Sequence, residues 1–95
     1  MKNYNFKLYQ VKTAETDYIF MPYSYAERHG FCLEDYDCAC TGTYPAEDHN
    51  DLLESLFEVF NMGRNPEGVR SMSVSDIVEV EDTKYYCDSH GWATI

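Results

Sequence analysis

Apolar and polar residues alternate from Asn5 to Lys12, with Phe6 and Leu8 toward one side and Lys7, Tyr9 and Val11 toward the other. That alternation predicts a first strand. Thr13 to Asp17 is polar and reads as a loop. The apolar run Tyr18-Ile19-Phe20-Met21, closed by Pro22, is expected to anchor the chain to the core. Ser24 and Glu27 have the spacing of a capping box, and Gly30 suits the left-handed position past a helix end, so a helix of about two turns is expected between them. In Tyr36 to Tyr44 the residues Tyr36, Cys38 and Cys40 share a face opposite Asp37, Ala39 and Thr41. A second strand is predicted there, with Gly42 at its end or at a bulge.

The clearest periodicity runs from Glu47 to Asn61. Leu52, Leu53, Leu56, Phe57, Val59 and Phe60 fall on one stripe, while Glu54, Ser55 and Glu58 fall outside it, the pattern of an amphipathic helix. Asp48 is its expected N-cap, Asp51 lies in the first turn where the helix dipole favours negative charge, and Gly63 is its expected end. Asn61 to Arg70 has the Asn, Gly and Pro content of a loop. Ser71 to Asp76 reads as a turn in which Asp76 bonds backbone amides, Ile77 to Val80 as a strand, Glu81-Asp82-Thr83 as a turn and Lys84 to Asp88 as a returning strand. The order is β-α-β-α-β-β. It predicts a single domain over residues 1–95, an α+β fold of two layers with two helices on one face of a mainly antiparallel sheet of about four strands.

Composition narrows the partners. Seventeen acidic residues against seven basic ones give a formal charge of −10, which opposes nonspecific nucleic-acid binding through clustered Lys and Arg and attachment to an anionic membrane. The same charge leaves open mimicry of a nucleic-acid backbone by rows of carboxylates. No basic segment followed by an apolar one opens the chain and no stretch approaches a membrane span, so a cytoplasmic protein with reduced thiols is expected. Nine tyrosines supply apolar area with a polar tip, suited to a small core and to a contact surface.

Candidate chemistry is thin. Cys38-x-Cys40 with Cys87-x-x-His90, and Cys32 or His29, is the best metal constellation. Two cysteines two apart on a strand, however, lie about 7 Å apart, too far for the ~2.3 Å bonds of a zinc site. A nucleophilic thiol at Cys87 requires His90 or His49 as base and Asp76 or Asp88 behind it. No spacing enforces that geometry. Pairs such as Glu34 with Asp35, or Glu79 with Glu81, are expected in so acidic a chain without catalytic meaning. No glycine-rich phosphate loop or nucleophile elbow is present. Neither a catalytic set nor a cofactor is predicted.

KLYQVK near the start, LLESLFEVFN before a Pro-Glu-Gly loop, and SMSVSDIVEV with KYYCDSHGW together resemble the YodL-like domain family. Its most specific stretch is the Ser73-Val74-Ser75-Asp76 turn, Tyr85-Tyr86, Asp88-Ser89 and Gly91-Trp92. The resemblance implies a domain of small bacterial proteins and of larger polyvalent proteins of conjugative elements, plasmids and phages, with no assigned catalytic set. The expectation is a non-enzymatic, cytoplasmic interaction module of a Gram-positive mobile element that binds an unidentified protein, with no direct nucleic acid and no membrane. Arg64, Arg70, Tyr85 and Trp92 are its candidate contact residues, and Ser73, Ser75 and Asp76 its structural turn. A nucleic-acid mimic that inhibits a restriction or other DNA-binding protein is the alternative, and a small thiol hydrolase a more distant one.

Overall fold

The computed structural model describes residues 1–13, 15–62 and 65–95. Its elements are β1 (Lys2–Val11), α1 (Tyr23–Arg28), a 3₁₀ turn (Leu33–Asp35), β2 (Tyr36–Ala46), α2 (His49–Phe60), β3 (Ile77–Val80), β4 (Thr83–Cys87) and β5 (Trp92–Thr94). The strands form one antiparallel sheet in the order β2-β1-β3-β4-β5. The fold is α+β with two helices. Five strands replace the four or so read from the sequence, because three residues are too few to show alternation. Strand β5 is defined by pairing alone, Cys87 with Trp92 and Tyr85 with Thr94. Gly91, at φ 82°, makes the turn that permits it, a backbone region open to glycine without strain.

The second correction concerns layers. The register Phe6↔Val80 and Leu8↔Val78 places these residues on one side of the sheet, where they pack with Leu52, Leu53, Leu56 and Phe60 of α2. The register Tyr9↔Ile77 and Ile77↔Tyr86 places the alternate set on the other side. There Ile77 and Tyr86 pack with Val11, Tyr18, Tyr36 and Ala26 of α1. The helices therefore cover opposite faces, and the sheet is the middle of three layers. Ile77 and Val78 are neighbours and both fully buried, as expected of a strand covered on both sides.

Two local predictions fail for physical reasons. Ala39 is an extra residue between Cys38, which pairs with Tyr9, and Cys40, which pairs with Leu8, so the strand's facing changes at this bulge. Cys40 packs against the α2 core while Cys38 stays exposed, and the two do not share a face. The capping box at Ser24 does not form either. Helix α1 begins two residues earlier with Pro22 as N-cap, and its first amide, Tyr23 N–H, donates to Asp88 Oδ1 at 3.2 Å. A carboxylate from the β4–β5 turn does the work expected of Ser24. Gly30, at φ 79°, follows the C-cap His29, and Phe31 N–H reaches Ala26 O at 2.9 Å in a Schellman closure.

Helix α2 is capped as expected. Asp48 accepts from Asp51 N–H at 2.8 Å, and Asp51 accepts in return from Glu47 N–H at 2.9 Å. The helix closes at Phe60 with Asn61 as C-cap; the expected end at Gly63 lies outside the described residues. Val59, expected in the apolar stripe, is exposed. Leu56 is 1% exposed at the centre of the stripe, and its replacement by alanine removes buried surface and leaves a cavity. Leu56→Ala is expected to lower unfolding free energy by about 2–5 kcal/mol, read as a shift in the urea midpoint. A loss under about 1 kcal/mol contradicts this packing.

Candidate functional site at the serine-aspartate turn

After α2 the chain must return to the sheet beside β1 and start β3. It does so through a polar knot. Gln10, at the inner end of β1 and 5% exposed, uses its amide as a substitute strand partner for Arg70. Gln10 Oε1 accepts from Arg70 N–H at 3.1 Å, and Nε2 donates to Arg70 O at 2.9 Å. The same Nε2 donates to Asp76 Oδ2 at 3.1 Å, which also accepts from Ser73 N–H at 3.0 Å. The Arg70 guanidinium crosses to Val11 O at 2.9 Å, and Asn65 Nδ2 ties Arg70 O to Phe60 O. The backbone of Asp76 and Ser75 then extends the β4 ladder, with Cys87 N–H on Asp76 O at 2.7 Å and Ser75 N–H on Cys87 O at 2.9 Å.

Ser75 is fully buried at φ 90°, a backbone region that non-glycine residues rarely adopt. Its three polar groups are all engaged, which is why the strain is tolerated. Its carbonyl accepts from Tyr36 OH at 2.6 Å and its hydroxyl accepts from Phe20 N–H at 3.1 Å. Phe20 is itself left-handed at φ 66°, yet its side chain is 62% exposed. The run expected to anchor the chain thus divides. Tyr18 is buried, and Phe20 projects into solvent from a backbone held on the core. A cleft of about 320 Å³ lies beneath it, lined by Ile19, Phe20, Arg70, Met72, Ser73 and Asp76 among others.

Burial pushes the Asp76 carboxyl up from 3.8 to about 6, against the lowering effects of Ser73, Gln10 and Arg70. The cleft so combines an apolar floor, a buried carboxylate and an exposed aromatic rim. No histidine or cysteine lines it, and the Asp76 carboxylate is held on Gln10 Nε2 and the Ser73 amide.

The candidate contact residues fall in separate places. Arg70 belongs to the knot and is exposed at the cleft wall, whereas Tyr85 and Trp92 are half-buried against the α2 core. Arg64 lies outside the described residues. The Tyr85 hydroxyl is 2.6 Å from His49 Nδ1, and His49 Nε2 is 2.9 Å from Glu81 Oε1, a chain that staples the first turn of α2 to the β3–β4 hairpin. His49 is thereby engaged away from Cys87, and His90 is exposed. Cys87 is 3% exposed, and burial, with Asp76 and Asp88 nearby, pushes its thiol up to about 12, the reverse of what a nucleophile needs. Among the described residues no three His, Cys, Asp or Glu side chains are grouped to hold a metal ion, and no helix is long and apolar enough to cross a membrane.

Sequence reading missed Gln10 and Phe20. Gln10 occupies an inward position of a strand where a polar residue is itself a signal. Phe20 carries none, since an apolar residue in an apolar run gives no hint of facing water.

A three-layer α+β domain built on one antiparallel sheet, with its serine-aspartate turn knotted to β1, defines the class of protein. The YodL-like domain model matches residues 5–95, and the chain belongs to that family. No curated protein and no solved structure matches it.

The raised Asp76 pKa has a signed consequence. The folded state holds the proton more tightly than the unfolded chain, so this group's contribution is full below about pH 4 and is lost as pH rises through about 6. The difference corresponds to about 3 kcal/mol. The stability of the native chain relative to Asp76→Asn is expected to fall by up to that amount between pH 4 and pH 7 in parallel urea titrations. A pH-independent difference contradicts the burial of an ionising carboxylate.

Proposed function

We propose that this domain is a non-enzymatic protein-interaction module associated with bacterial mobile elements, with its principal contact surface centred on Phe20 and the cleft beside it. The observation that carries the reading is the exposure of a phenylalanine whose left-handed backbone is bonded to a fully buried serine. Strained backbone persists where the surroundings over-determine it, and such sites cluster at ligand clamps. A rigid aromatic next to an arginine is also the composition of an interface hot spot, because little conformational entropy is lost on binding. The buried Cys87 thiol, pushed up to about 12, supports a binding role over that of a thiol hydrolase.

One observation favours the nucleic-acid mimic. Glu47, Asp48, Asp51, Glu54 and Glu58 all lie on or just before α2, which carries no lysine or arginine. Twelve residues of helix span about 18 Å, a length over which a duplex carries about ten phosphates. Five carboxylates are half that density. The remaining acids are spread over the other elements, so interaction through Phe20 is the better supported reading.

Phe20→Gly separates fold from function. Releasing a left-handed non-glycine residue gains about 1–2 kcal/mol, and the greater freedom of glycine in the unfolded chain offsets about 0.5–1 kcal/mol of it. The variant is expected to match the native chain in thermal melting and to lose a partner that the native chain retains in co-precipitation from cells that naturally make it. Equal recovery by both, or no specific partner for the native chain, overturns the reading.

A further inference from the structure

The longest unpaired feature of the molecule is a strand edge. Strand β2 has eleven residues and bonds to β1 on one side only. At ~3.3 Å per residue it is about 36 Å long. From Asp37 to Ala46 no backbone-to-backbone hydrogen bond leaves the β1 ladder among the described residues. The opposite edge, β5, has three residues. Proteins normally blunt a long edge with lysine, proline, a bulge or a covering segment. In β2 the bulge lies at Ala39 and the one proline at Pro45, leaving Cys40 to Tyr44 regular, uncharged and open. Along this stretch, on the face that α1 leaves uncovered, runs a cleft of about 500 Å³ lined by Lys7, Thr41, Thr43, Glu79, Glu81 and Asp82 among others.

We propose that the β2 edge is a docking site for an extended, lysine- or arginine-bearing segment of a partner protein, which adds to the sheet as a sixth strand beside β2. Backbone groups of Cys40 to Tyr44 supply its hydrogen bonds, and alternate side chains of the added strand lie beside Thr41 and Thr43 at the mouth of the cleft. Charge selects the occupant. The chain carries −10, and Asp37 and Glu47 bracket the open stretch with no lysine or arginine between them. A second copy is disfavoured, because antiparallel self-pairing centred on Gly42 sets Asp37 beside Glu47 twice. This edge does not include Phe20, and the inference stands or falls separately from that surface.

The test uses the full chain, isotopically labelled, and a capped ten-residue peptide alternating lysine with valine and threonine. The expected result is amide shift changes and slowed hydrogen exchange concentrated in 37–46, with at least tenfold weaker binding by the same peptide carrying glutamate for lysine. Methylation of alternate peptide amides is expected to abolish binding, and Thr41→Lys in the protein to weaken it at least tenfold. Phe20→Gly is expected to leave it unchanged. The inference is overturned by no response to the lysine peptide, by equal binding of the glutamate or methylated peptide, or by changes away from β2. Sedimentation of the native chain as a dimer that Thr41→Lys dissociates also overturns it, by assigning the edge to a second copy.

Discussion

The hydrogen bonds of the Gln10 side chain hold together the part of this fold that helices and strands do not. Its amide pairs with both backbone groups of Arg70 and with the Asp76 carboxylate, joining β1 to the segment that follows α2. Each of these groups is polar and most are buried, so each must be matched or lost from water at a cost of about 1–3 kcal/mol. No buried side-chain nitrogen or oxygen among the described residues is left without a partner. Satisfied networks of this type specify one arrangement, because alternatives leave several groups unmatched at once. From that arrangement follow the position of Asp76, the entry to β3, the strained Ser75 and the posture of Phe20.

The two cores divide the work differently. Helix α2 covers its face with leucines, the ordinary solution for an amphipathic helix on a sheet. On the other face α1 has six residues and cannot cover much, so tyrosines extend the layer. Tyr18, Tyr36 and Tyr86 bury their rings and spend their hydroxyls on Asp35, on Ser75 O and on Met21 O. Burial pushes all three hydroxyls well above the usual tyrosine range, so they act as fixed donors. The high tyrosine content is thus a structural device on this face.

Much of the fold was legible from residue patterns. The α2 stripe, its Asp48 cap, the β3–β4 hairpin and the glycine at position 30 follow from spacing and local chemistry, which act within a few residues. What escaped depends on contacts made across the chain. The cap of α1 comes from Asp88, 65 residues away from the amide it meets. The bulge at Ala39 is set by pairing with Leu8 and Tyr9, and it reverses an alternation that looks regular in one dimension. The serine-aspartate turn stood out as a motif, but its meaning lay in Gln10 and Phe20, one a polar residue inside a strand and the other an apolar residue turned outward.

The central claim is that a contact residue is held outward by a bond to a buried turn. Hydrogen exchange at the Phe20 amide tests it directly. Although Phe20 lies in a loop and its side chain is exposed, its amide is expected to exchange as slowly as amides of β1, because Ser75 Oγ accepts from it inside the core. In Ser75→Ala that protection should vanish while α2 amides keep theirs. A Phe20 amide that exchanges as fast as an exposed loop in the native chain contradicts the account.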